Sequence, residues 1–395
     1  MKPVIVHVLT SFTRGGAELG INTLIENNFY EHFDLHVVGL IQGNGGIYEY
    51  FAKRLGADRV HCLTDKDSLP RIRDLPLLFS NLFKTLQTLK PKVLILSLVG
   101  ANFVGRFVAT LFPKIHVITF EHNAQIQNLL LRATSFFMSS RVNAIFGDTP
   151  DTLRQAKAYY PLRKPAHVVP LIHLETDGIT PRSKEVPLRF NILSLGRLAP
   201  QKNYFELVRA AALLKQKGYA FNIAIDGEGP QRKKLECEIK RLGLNDCVQL
   251  RGFIGDTEVL ARHRAEAHIY VQPSLHEGFC IATAEAMGAG MVVVATDFNG
   301  LRDYGTLTNH IQIEGFSAEK IAKALQHCMD NYDELAPLMS RSALRTAESN
   351  FSGAIVREQW ERAKQQLLAA AHEMEPQRSA VFQKTARQQT PEKVS

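Results

Sequence analysis

The stretch SLHEGFCIATAEAMG, residues 274–288, places two glutamates at a junction between a predicted strand and a predicted helix. Residues 268–273 just before it are mostly apolar and end at a proline, which indicates a short buried strand. After Gly278 the residues are apolar and rich in alanine, which indicates a helix. Glu277 is then expected in the loop after the strand, and Glu285 about two turns into the helix, at about 3.6 residues per turn.

This junction favours an anionic ligand that also carries hydroxyl groups. A helix N-terminus presents free backbone N–H groups that bind an anion, and carboxylates accept hydrogen bonds from hydroxyls. A nucleotide sugar offers both kinds of group. Two glutamates on one helix are more commonly solvated side chains, so this interpretation depends on further motifs.

Short β-branched runs alternate with helical stretches in two rounds along the chain. This alternation favours right-handed β-α-β units and parallel sheets covered by helices on both faces. We therefore predict an α/β fold with two doubly wound, Rossmann-like domains that face each other across a cleft. The expected strands are 4–9, 35–40, 93–97, 116–120 and 144–147 in the first round, and 191–195, 222–226, 248–250, 268–271 and 292–295 in the second.

The length of 395 residues suffices for two domains with their own cores. A stretch rich in proline and polar residues predicts a linker at 171–187, between an N-terminal domain at 1–170 and a C-terminal domain at 188–350. Residues 351–372 contain an amphipathic stretch that is expected to end the fold. The tail, 373–395, is rich in Gln, Pro, Lys and Arg and is expected to be disordered.

Composition predicts a soluble globular protein of the cytoplasm, with 45% hydrophobic and 22% charged residues. The five cysteines form no Cys-x-x-Cys pair, as is typical of reduced thiols in a cytoplasm. The N-terminus predicts a strand rather than a signal peptide. The longest apolar stretch, 93–112, is interrupted by Asn102 and Arg106, so no transmembrane helix is expected.

The formal charge of +8 indicates an anionic partner: nucleic acid, an anionic membrane or an anionic substrate. No nucleic-acid-binding module is recognisable, so nucleic acid is not expected. The stretches 75–90 and 126–138 are amphipathic. Core-facing helices explain both most simply, and docking on a membrane surface is the alternative.

Two further motifs follow predicted strands. Gly15 and Gly16 precede a helix, where they would let a phosphate approach the backbone, although a plain tight turn explains them as well. Arg197 and Lys202 lie in the segment SLGRLAPQKN, residues 194–203, just before another helix. A guanidinium and an ammonium group suit a diphosphate, but two basic residues in a loop are often only surface charges.

With these motifs the chain resembles the retaining glycosyltransferases of family 4, which have the GT-B fold of the glycogen phosphorylase superfamily. The resemblance covers about residues 4–371 and rests on five motifs in the same order, at 15–18, 196–202, 226–230, 251–254 and 277–285. It implies transfer of a hexose from a nucleoside-diphosphate sugar, most often a UDP-sugar, with retention of the anomeric configuration. The acceptor would be a glycan or lipid-linked, as in polysaccharide or lipopolysaccharide biosynthesis. The enzyme would act in the cytoplasm and could contact the anionic inner face of the cytoplasmic membrane as a peripheral protein.

The resemblance also implies roles for individual residues. Glu277 would contact the donor sugar, and Glu285 would hold the ribose hydroxyls. Arg197 and Lys202 would bind the diphosphate, and His122 would lie near the transferred sugar. The last helix, 351–372, would cross back to the N-terminal domain. The implied nucleotide and substrate contacts further include Gly15, Gly16, Gly252, Phe253, Gly278, Phe279, Cys280 and Ile281.

Two of the departures from the family pattern involve acidic groups. Asn123 follows His122 where the family has an aspartate, and Glu121 could replace that carboxylate only if it faced inward. Asp303 stands where the family usually has a glutamate. Cys280 has no activating partner that the sequence identifies, so we expect it to line the site rather than to act as a nucleophile.

The chemistry would proceed without a cofactor or a metal. No Asp-x-Asp pair is placed to hold a divalent metal, so Arg197, Lys202 and helix-terminal amides would stabilise the leaving diphosphate. No carboxylate nucleophile is evident on the opposite face, which favours a same-face mechanism. The alternatives are a Rossmann oxidoreductase, which the absence of G-x-G-x-x-G disfavours, a sugar-nucleotide epimerase of the same architecture, and a non-catalytic protein that binds anions or nucleic acid.

Overall fold

The computed structural model describes residues 2–13, 15–43, 46–67, 72–122, 136–157, 160 and 163–372. They contain two sheets in which all neighbouring strands are parallel. The first sheet consists of β1 (Val4–Ser11), β2 (Asp34–Ile41), β3 (Val60–Cys62), β4 (Val93–Ser97), β5 (His116–Glu121), β6 (Ala144–Gly147) and β7 (Ala166–Val168). The second consists of β8 (Phe190–Leu195), β9 (Phe221–Asp226), β10 (Val248–Gly252), β11 (Ile269–Gln272), β12 (Val292–Thr296) and β13 (Ile311–Ile313).

The order of the strands determines which loops meet. The first sheet has the order β3-β2-β1-β4-β5-β6-β7, and the second has the order β10-β9-β8-β11-β12-β13. Each sheet therefore has one switch point, a pair of adjacent strands whose following connections run toward opposite edges of the sheet. It lies between β1 and β4 in the first sheet and between β8 and β11 in the second. Ligands of open α/β sheets bind in the crevice that such a switch point opens at the carboxyl ends of the strands.

Helices cover both faces of each sheet, because successive side chains of a strand point to opposite faces and both sets are apolar here. In β1, Ile5 and Leu9 face one core while Val6 and Val8 face the other. The helices are α1 (Gly16–Glu26), α2 (Ile47–Leu55), α3 (Leu75–Leu89), α4 (Leu98–Ala109), α5 (Pro150–Ala156), α6 (Tyr204–Gln216), α7 (Arg232–Arg241), α8 (Thr257–Glu266), α9 (Ile281–Gly288), α10 (Asn299–Tyr304), α11 (Ala318–Asp330), α12 (Tyr332–Phe351) and α13 (Gly353–His372).

The last helix, α13, packs against the first domain although it follows the second in the chain. Val356, Trp360 and Leu367 lie in the same apolar core as the inward side chains of β1 and β4. The indole Nε1 of Trp360 donates a hydrogen bond of 2.9 Å to the carbonyl of Pro170. Within the described residues the chain thus passes between the domains twice, once before and once after the second domain in sequence.

The prediction of two doubly wound parallel-sheet domains is confirmed in its architecture. All ten predicted strands are present with ends within two residues of the predicted ones. The sequence analysis missed β3, β7 and β13, because three residues are too few to establish a period of two. The stretch 75–90 forms α3, whose Leu78, Leu82 and Leu86 face the core.

The predicted position of Glu285 within its helix was wrong. Helix α9 begins at Ile281 because Cys280 has the left-handed backbone angle φ of 59°, which ends the helical geometry there. Glu285 therefore lies about one turn into the helix instead of two. Most of the predicted helix at 126–138 lies outside the described residues. The predicted disordered tail at 373–395 lies outside them entirely. Within the described ranges, no helix has both the length and the apolarity that crossing a bilayer requires.

Candidate active site

The loops that follow β8 and β11 are joined to each other, as the switch point between these strands predicts. The backbone N–H of Leu275 donates to the carbonyl of Gln201 at 2.8 Å, and the Gln201 side chain donates to the carbonyl of His276 at 2.8 Å. This pairing brings the Lys202 Nζ atom within 2.7 Å of the Glu277 Oε1 atom. The sequence-predicted phosphate-binding lysine and sugar-binding glutamate are therefore neighbours.

Lys202 and Glu277 form an ion pair that is mostly shielded from water. Their side chains are 15% and 9% exposed, respectively. Burial by itself would lower the pKa of Lys202, but the charge of Glu277, with smaller contributions from Cys280 and Tyr204, raises that pKa above its ordinary value. The lysine thus stays cationic in a dry site, because the carboxylate compensates its charge.

A chain of buried hydrogen bonds orients Glu277. The Tyr270 hydroxyl donates to Oε1 of Gln272 at 2.5 Å, and Nε2 of Gln272 donates to the Ser274 hydroxyl at 2.7 Å. Ser274 in turn donates to Oε1 of Glu277 at 2.7 Å. The hydrogen bonds are donated in sequence from Tyr270 to Gln272, Ser274 and finally Glu277. This network therefore fixes the orientation of the Glu277 carboxylate.

Glu285 has a different cationic partner. The Arg264 guanidinium donates to Oε2 of Glu285 at 3.2 Å. Burial raises the pKa of Glu285, and the Arg264 charge opposes that increase. The two glutamates of the opening stretch therefore lie on the same loop–helix unit but are held by separate cations, Lys202 and Arg264.

Three of the five non-glycine residues with positive φ in the described ranges lie near the switch points. Leu98, Asn203 and Cys280 have positive φ angles of 72°, 59° and 59°, respectively, which cost energy in residues with a side chain. Each lies next to a strand end or helix start at a switch point: Leu98 after β4, Asn203 before α6 and Cys280 before α9. Strained residues of this kind accumulate at functional sites.

Arg197 acts electrostatically on the opposite domain. Its side chain is exposed, and its charge acts on Glu18 near the start of α1. Burial raises the pKa of Glu18 to about 7, against the lowering effects of its own backbone N–H and of Arg197. Gly15 leaves room for this carboxylate, because a Cβ atom at Gly15 would lie 2.5 Å from Oε2 of Glu18. A Cβ at Gly16 would meet no atom within 4 Å.

His122 lies buried at the carboxyl end of the first sheet. Its Nε2 atom is 3.1 Å from the Ser97 hydroxyl, which is also 2.7 Å from Nε2 of His7. Burial lowers the pKa of His122 to about 3, so its imidazole is neutral. The nearest carboxylate to its Nδ1 atom among the ion pairs of the described residues is that of Asp148, at 3.9 Å.

Glu121 does not take the place of the missing aspartate, because its Oε1 atom accepts hydrogen bonds from Thr119 and Tyr160 instead. Asp148 is instead the carboxyl group near the Nδ1 atom of His122, at 3.9 Å. Burial raises the pKa of Asp148 to about 8, although its hydrogen bonds to Thr152 and to backbone N–H groups oppose the increase. The group beside His122 is thus a carboxyl that is largely protonated at neutral pH.

The remaining predicted residues surround these groups. Gly278 accepts a hydrogen bond of 2.7 Å from the backbone N–H of Gly300. Phe279 is buried against Tyr304, and Ile281 packs against the cores of both domains. Burial, with a smaller contribution from Glu277, raises the pKa of Cys280 to about 11. The thiol is therefore protonated at neutral pH, which suits a residue that lines the site and not a thiolate nucleophile.

The loop after β10 lies beside the glycine-rich turn after β9. Gly252, with a φ of 82°, accepts a hydrogen bond of 2.8 Å from the backbone N–H of Gly227. A Cβ at Gly227 would lie 1.9 Å from the carbonyl oxygen of Gly196, so the turn packs closely on the loop that carries Arg197. Phe253 is 43% exposed.

The two domains are joined beside the site by Asp303. Its carboxylate accepts a hydrogen bond of 2.7 Å from the backbone N–H of Asp151, at the start of α5, and another from the Arg154 side chain. Asp303 was noted from sequence only as a departure from the family pattern. A carboxylate at a helix N-terminus neutralises free N–H groups, so Asp303 caps a helix of the opposite domain.

Sequence reasoning missed Asp148, Ser274 and the part played by Glu18. Asp148 directly follows a strand that was predicted correctly, so the rule that ligand-binding residues follow strand ends could have found it. The sequence assigns no role to Ser274, because a serine in a loop has many possible hydrogen-bond partners. Within the described part of the chain, no group of three or more His, Cys, Asp or Glu residues could hold a metal ion.

Comparison with known proteins identifies glycosyltransferases that are similar to part of this chain. Residues 181–345, which contain Arg197, Lys202, Glu277 and Glu285, match the family model of glycosyl transferases group 1. The chain is 34% identical over 142 residues to the amylovoran biosynthesis glycosyltransferase AmsK of Erwinia amylovora, covering 33% of this chain and 35% of that protein. It is 29% identical over 195 residues to the putative colanic acid biosynthesis glycosyltransferase WcaL of Escherichia coli K12, covering 46% and 47%, respectively. The chain thus spans about a third to a half of the length of these relatives.

Solved structures have a similar fold over nearly the whole length of this chain. Anabaena HepE in complex with UDP and glucose superposes with a TM-score of 0.74 at 17% identity, covering 93% of this chain and 100% of that one. The fold is GT-B. The match to glycosyl transferases group 1 covers residues 181–345, and the solved structure shows the fold.

Proposed function

We propose that this protein transfers a hexose from a nucleoside-diphosphate sugar, specifically a UDP-sugar, to a glycan or lipid-linked acceptor. The transfer retains the anomeric configuration and needs no metal. The observation that carries the proposal is the shielded pair of Lys202 and Glu277, with 2.7 Å between Nζ and Oε1, at the switch point of the second sheet. Such a site holds a fixed cation and a fixed hydroxyl acceptor side by side.

Each charged group has a use in this reaction. Lys202 and Arg197 would bind the diphosphate, whose negative charge rises as the bond to the sugar breaks. Glu277 would accept hydrogen bonds from donor-sugar hydroxyls, and Glu285 from the ribose. The backbone N–H groups at the start of α9 add a positive field directed at the same anion.

The covalent step exchanges one bond for another at the anomeric carbon. The bond from that carbon to the diphosphate oxygen breaks, and a bond to the acceptor oxygen forms on the same face of the sugar. The acceptor proton passes to the departing diphosphate oxygen, so the protein need not supply a base. His122 is neutral because burial lowers its pKa to about 3, and it suits a hydrogen bond to the sugar rather than proton transfer.

The relatives support the donor and the pathway. HepE has been solved with UDP-glucose bound, and its fold matches this chain over 91% of the length. AmsK and WcaL are named for amylovoran and colanic acid biosynthesis, respectively. We therefore propose that this enzyme serves polysaccharide biosynthesis of the cell envelope and acts at the inner face of the cytoplasmic membrane, where a lipid-linked acceptor would be held.

Donor binding tests this proposal directly. Thermal unfolding is measured with UDP, GDP, ADP and NADH, each at the same concentration and with a chelator present. We expect UDP to raise the melting temperature and the chelator to leave that increase unchanged. An increase with NADH alone would support an oxidoreductase, and conversion of a UDP-sugar to an isomer without an acceptor would support an epimerase. Either result would overturn the proposal.

A further inference from the structure

An apolar surface on α3 and α4 lies on the outer side of the first domain. Leu77, Phe107 and Leu111 are 50%, 52% and 63% exposed, respectively. The sheet does not need them, because Leu78, Leu82 and Leu86 of α3 already cover it. We call Leu77, Phe79, Phe103, Phe107 and Leu111 the α3–α4 surface.

Phe79, Phe103 and Phe107 form one continuous aromatic surface, since α3 and α4 lie side by side on the same face of the sheet. The rings of Phe79 and Phe107 have centroids 4.8 Å apart, and those of Phe79 and Phe103 are 6.3 Å apart. A second pair is formed by Phe83 of α3 and Phe112, which follows the end of α4, with ring centroids 5.2 Å apart. Contiguous apolar surface of this kind marks an interaction site.

Positive charge surrounds this surface. Residues 71–116 contain seven Lys or Arg residues and one acidic residue, Asp74. Arg106 is buried beside Glu121 and does not contribute to the charge of the surface. Lys84, Lys90 and Lys114 are exposed. Asp74 is buried and is paired with Lys66, so it does not offset the exposed lysines.

We infer that the α3–α4 surface docks on a lipid bilayer that carries anionic headgroups. Aromatic and aliphatic side chains enter the boundary between headgroups and acyl chains, while lysines at the rim bind the negative surface. The charge favours a bilayer over a second copy of this chain, because two copies would bring the same lysines together.

The position of this surface fits an acceptor held in a membrane, a point that rests on the proposed function. Helix α4 begins immediately after Ser97, which contacts His122 in the candidate site. Phe107 lies ten residues beyond Ser97, about 15 Å along the helix axis at 1.5 Å per residue. The α3–α4 surface thus lies on the order of 15 Å from Ser97 along α4, a distance that a lipid-linked acceptor held in the bilayer would have to span to reach the candidate site.

Vesicle flotation tests the inference. The full chain is mixed with vesicles of equal parts phosphatidylglycerol and phosphatidylcholine, or with phosphatidylcholine vesicles alone. We expect binding to the first and little to the second. The double variant Lys84→Gln/Lys114→Gln should bind the anionic vesicles about thirtyfold more weakly, since each basic residue contributes about 1 kcal/mol. The variant Phe107→Ser/Leu111→Ser should lose binding to both.

Matched controls come from the second domain. Leu338 is 67% exposed on α12, and Lys323 is exposed on α11. Leu338→Ser and Lys323→Gln should float as the unchanged protein does. Equal losses in these controls, unchanged flotation of both α3–α4 variants, or no flotation of the unchanged protein would each overturn the inference. A change from dimer to monomer in Phe107→Ser/Leu111→Ser with flotation intact would instead identify a contact between copies.

The proposed function is measured separately in the same samples. All variants should keep the melting-temperature increase with UDP, because the altered residues lie outside the candidate site. Loss of flotation with UDP binding retained separates docking from donor recognition. Flotation without any response to UDP would contradict the proposed function and leave the docking inference supported.

Discussion

The ammonium of Lys202 and the carboxylate of Glu277 lie 2.7 Å apart although they come from loops after two different strands, β8 and β11. Both side chains are mostly buried. Neither charge is stable there alone, because an uncompensated buried charge costs several kcal/mol. The pair is therefore a single unit of stability as well as two parts of a binding site.

Removing one charge should destabilise the protein more than removing both. Lys202→Met leaves the Glu277 carboxylate buried without its cation, so we expect a loss of about 3–5 kcal/mol in the free energy of unfolding. The double variant Lys202→Met/Glu277→Gln should recover a large part of that loss. Denaturant unfolding of both single variants and the double variant gives the coupling energy. Purely additive losses would show that the two charges are not coupled.

Sugar transfer should depend on Glu277 and Arg197 more strongly than any accompanying loss of stability explains, so activity is measured where each variant is fully folded. Glu277→Gln keeps the shape but weakens the hydrogen bonds to sugar hydroxyls, and Arg197→Ala removes a donor to the diphosphate. We expect each to lower UDP release in the presence of acceptor at least a hundredfold, about 2.7 kcal/mol. Glu348→Gln and Arg345→Ala, on the exposed side of α12, serve as controls. Ordinary turnover in either site variant would refute the assignment of the site.

Ser274 should act through the orientation of Glu277. Ser274→Ala removes the hydrogen bond to Oε1 and leaves the Gln272 amide without its acceptor, so we expect a loss of about 1–3 kcal/mol in stability. Ser274→Thr keeps a hydroxyl and should retain more activity than Ser274→Ala at equal protein stability. If activity follows stability alone in both variants, Ser274 does not position Glu277.

Stability should fall as the pH rises through the range in which Glu18 titrates. Burial raises the pKa of Glu18 from 4.5 to about 7, so the folded state holds a proton that the unfolded state has already lost. The proton therefore stabilises the fold at low pH, and its contribution disappears as the pH passes 7. Between pH 5 and pH 8 this lowers the free energy of unfolding by about 2–3 kcal/mol.

Glu18→Gln should remove that part of the pH dependence. Unfolding by urea at pH 5 and pH 8 is compared in the unchanged protein, Glu18→Gln and Glu348→Gln. Between pH 5 and pH 8 the unchanged protein and Glu348→Gln should lose the same free energy of unfolding, and Glu18→Gln should lose less. Identical pH profiles for all three would mean that Glu18 has an ordinary pKa in the folded state.

Asp148 should tolerate an amide. Burial raises its pKa to about 8, so the carboxyl is mostly neutral at pH 7, and an asparagine side chain at this position would match it in shape and charge. We expect Asp148→Asn to change stability by less than about 1 kcal/mol, whereas Asp148→Ala leaves Thr152 without its acceptor and costs about 1–3 kcal/mol. Equal losses in both variants, measured by thermal unfolding at pH 7, would indicate that the carboxyl is charged.

The sequence indicated which candidate residues follow the ends of strands. Lys202 and Glu277 follow strands with clear periodicity, and parallel strands bring their ends together, so their proximity could be inferred. The start of α9 could not, because nothing in the residue type of Cys280 indicates its left-handed backbone. The partner of His122 could not be chosen either, since Glu121 and Asp148 both lie near strand ends and only the fold decides which one faces the imidazole.

The two passages of the chain between the domains lie against each other. The backbone N–H of Leu174, in the first passage, donates a hydrogen bond of 2.9 Å to the carbonyl of Phe351, at the second. Two crossings joined to each other favour a hinge motion of the domains about this contact. Opening of the cleft would then separate Asp303 from α5, while the Leu174–Phe351 hydrogen bond is kept.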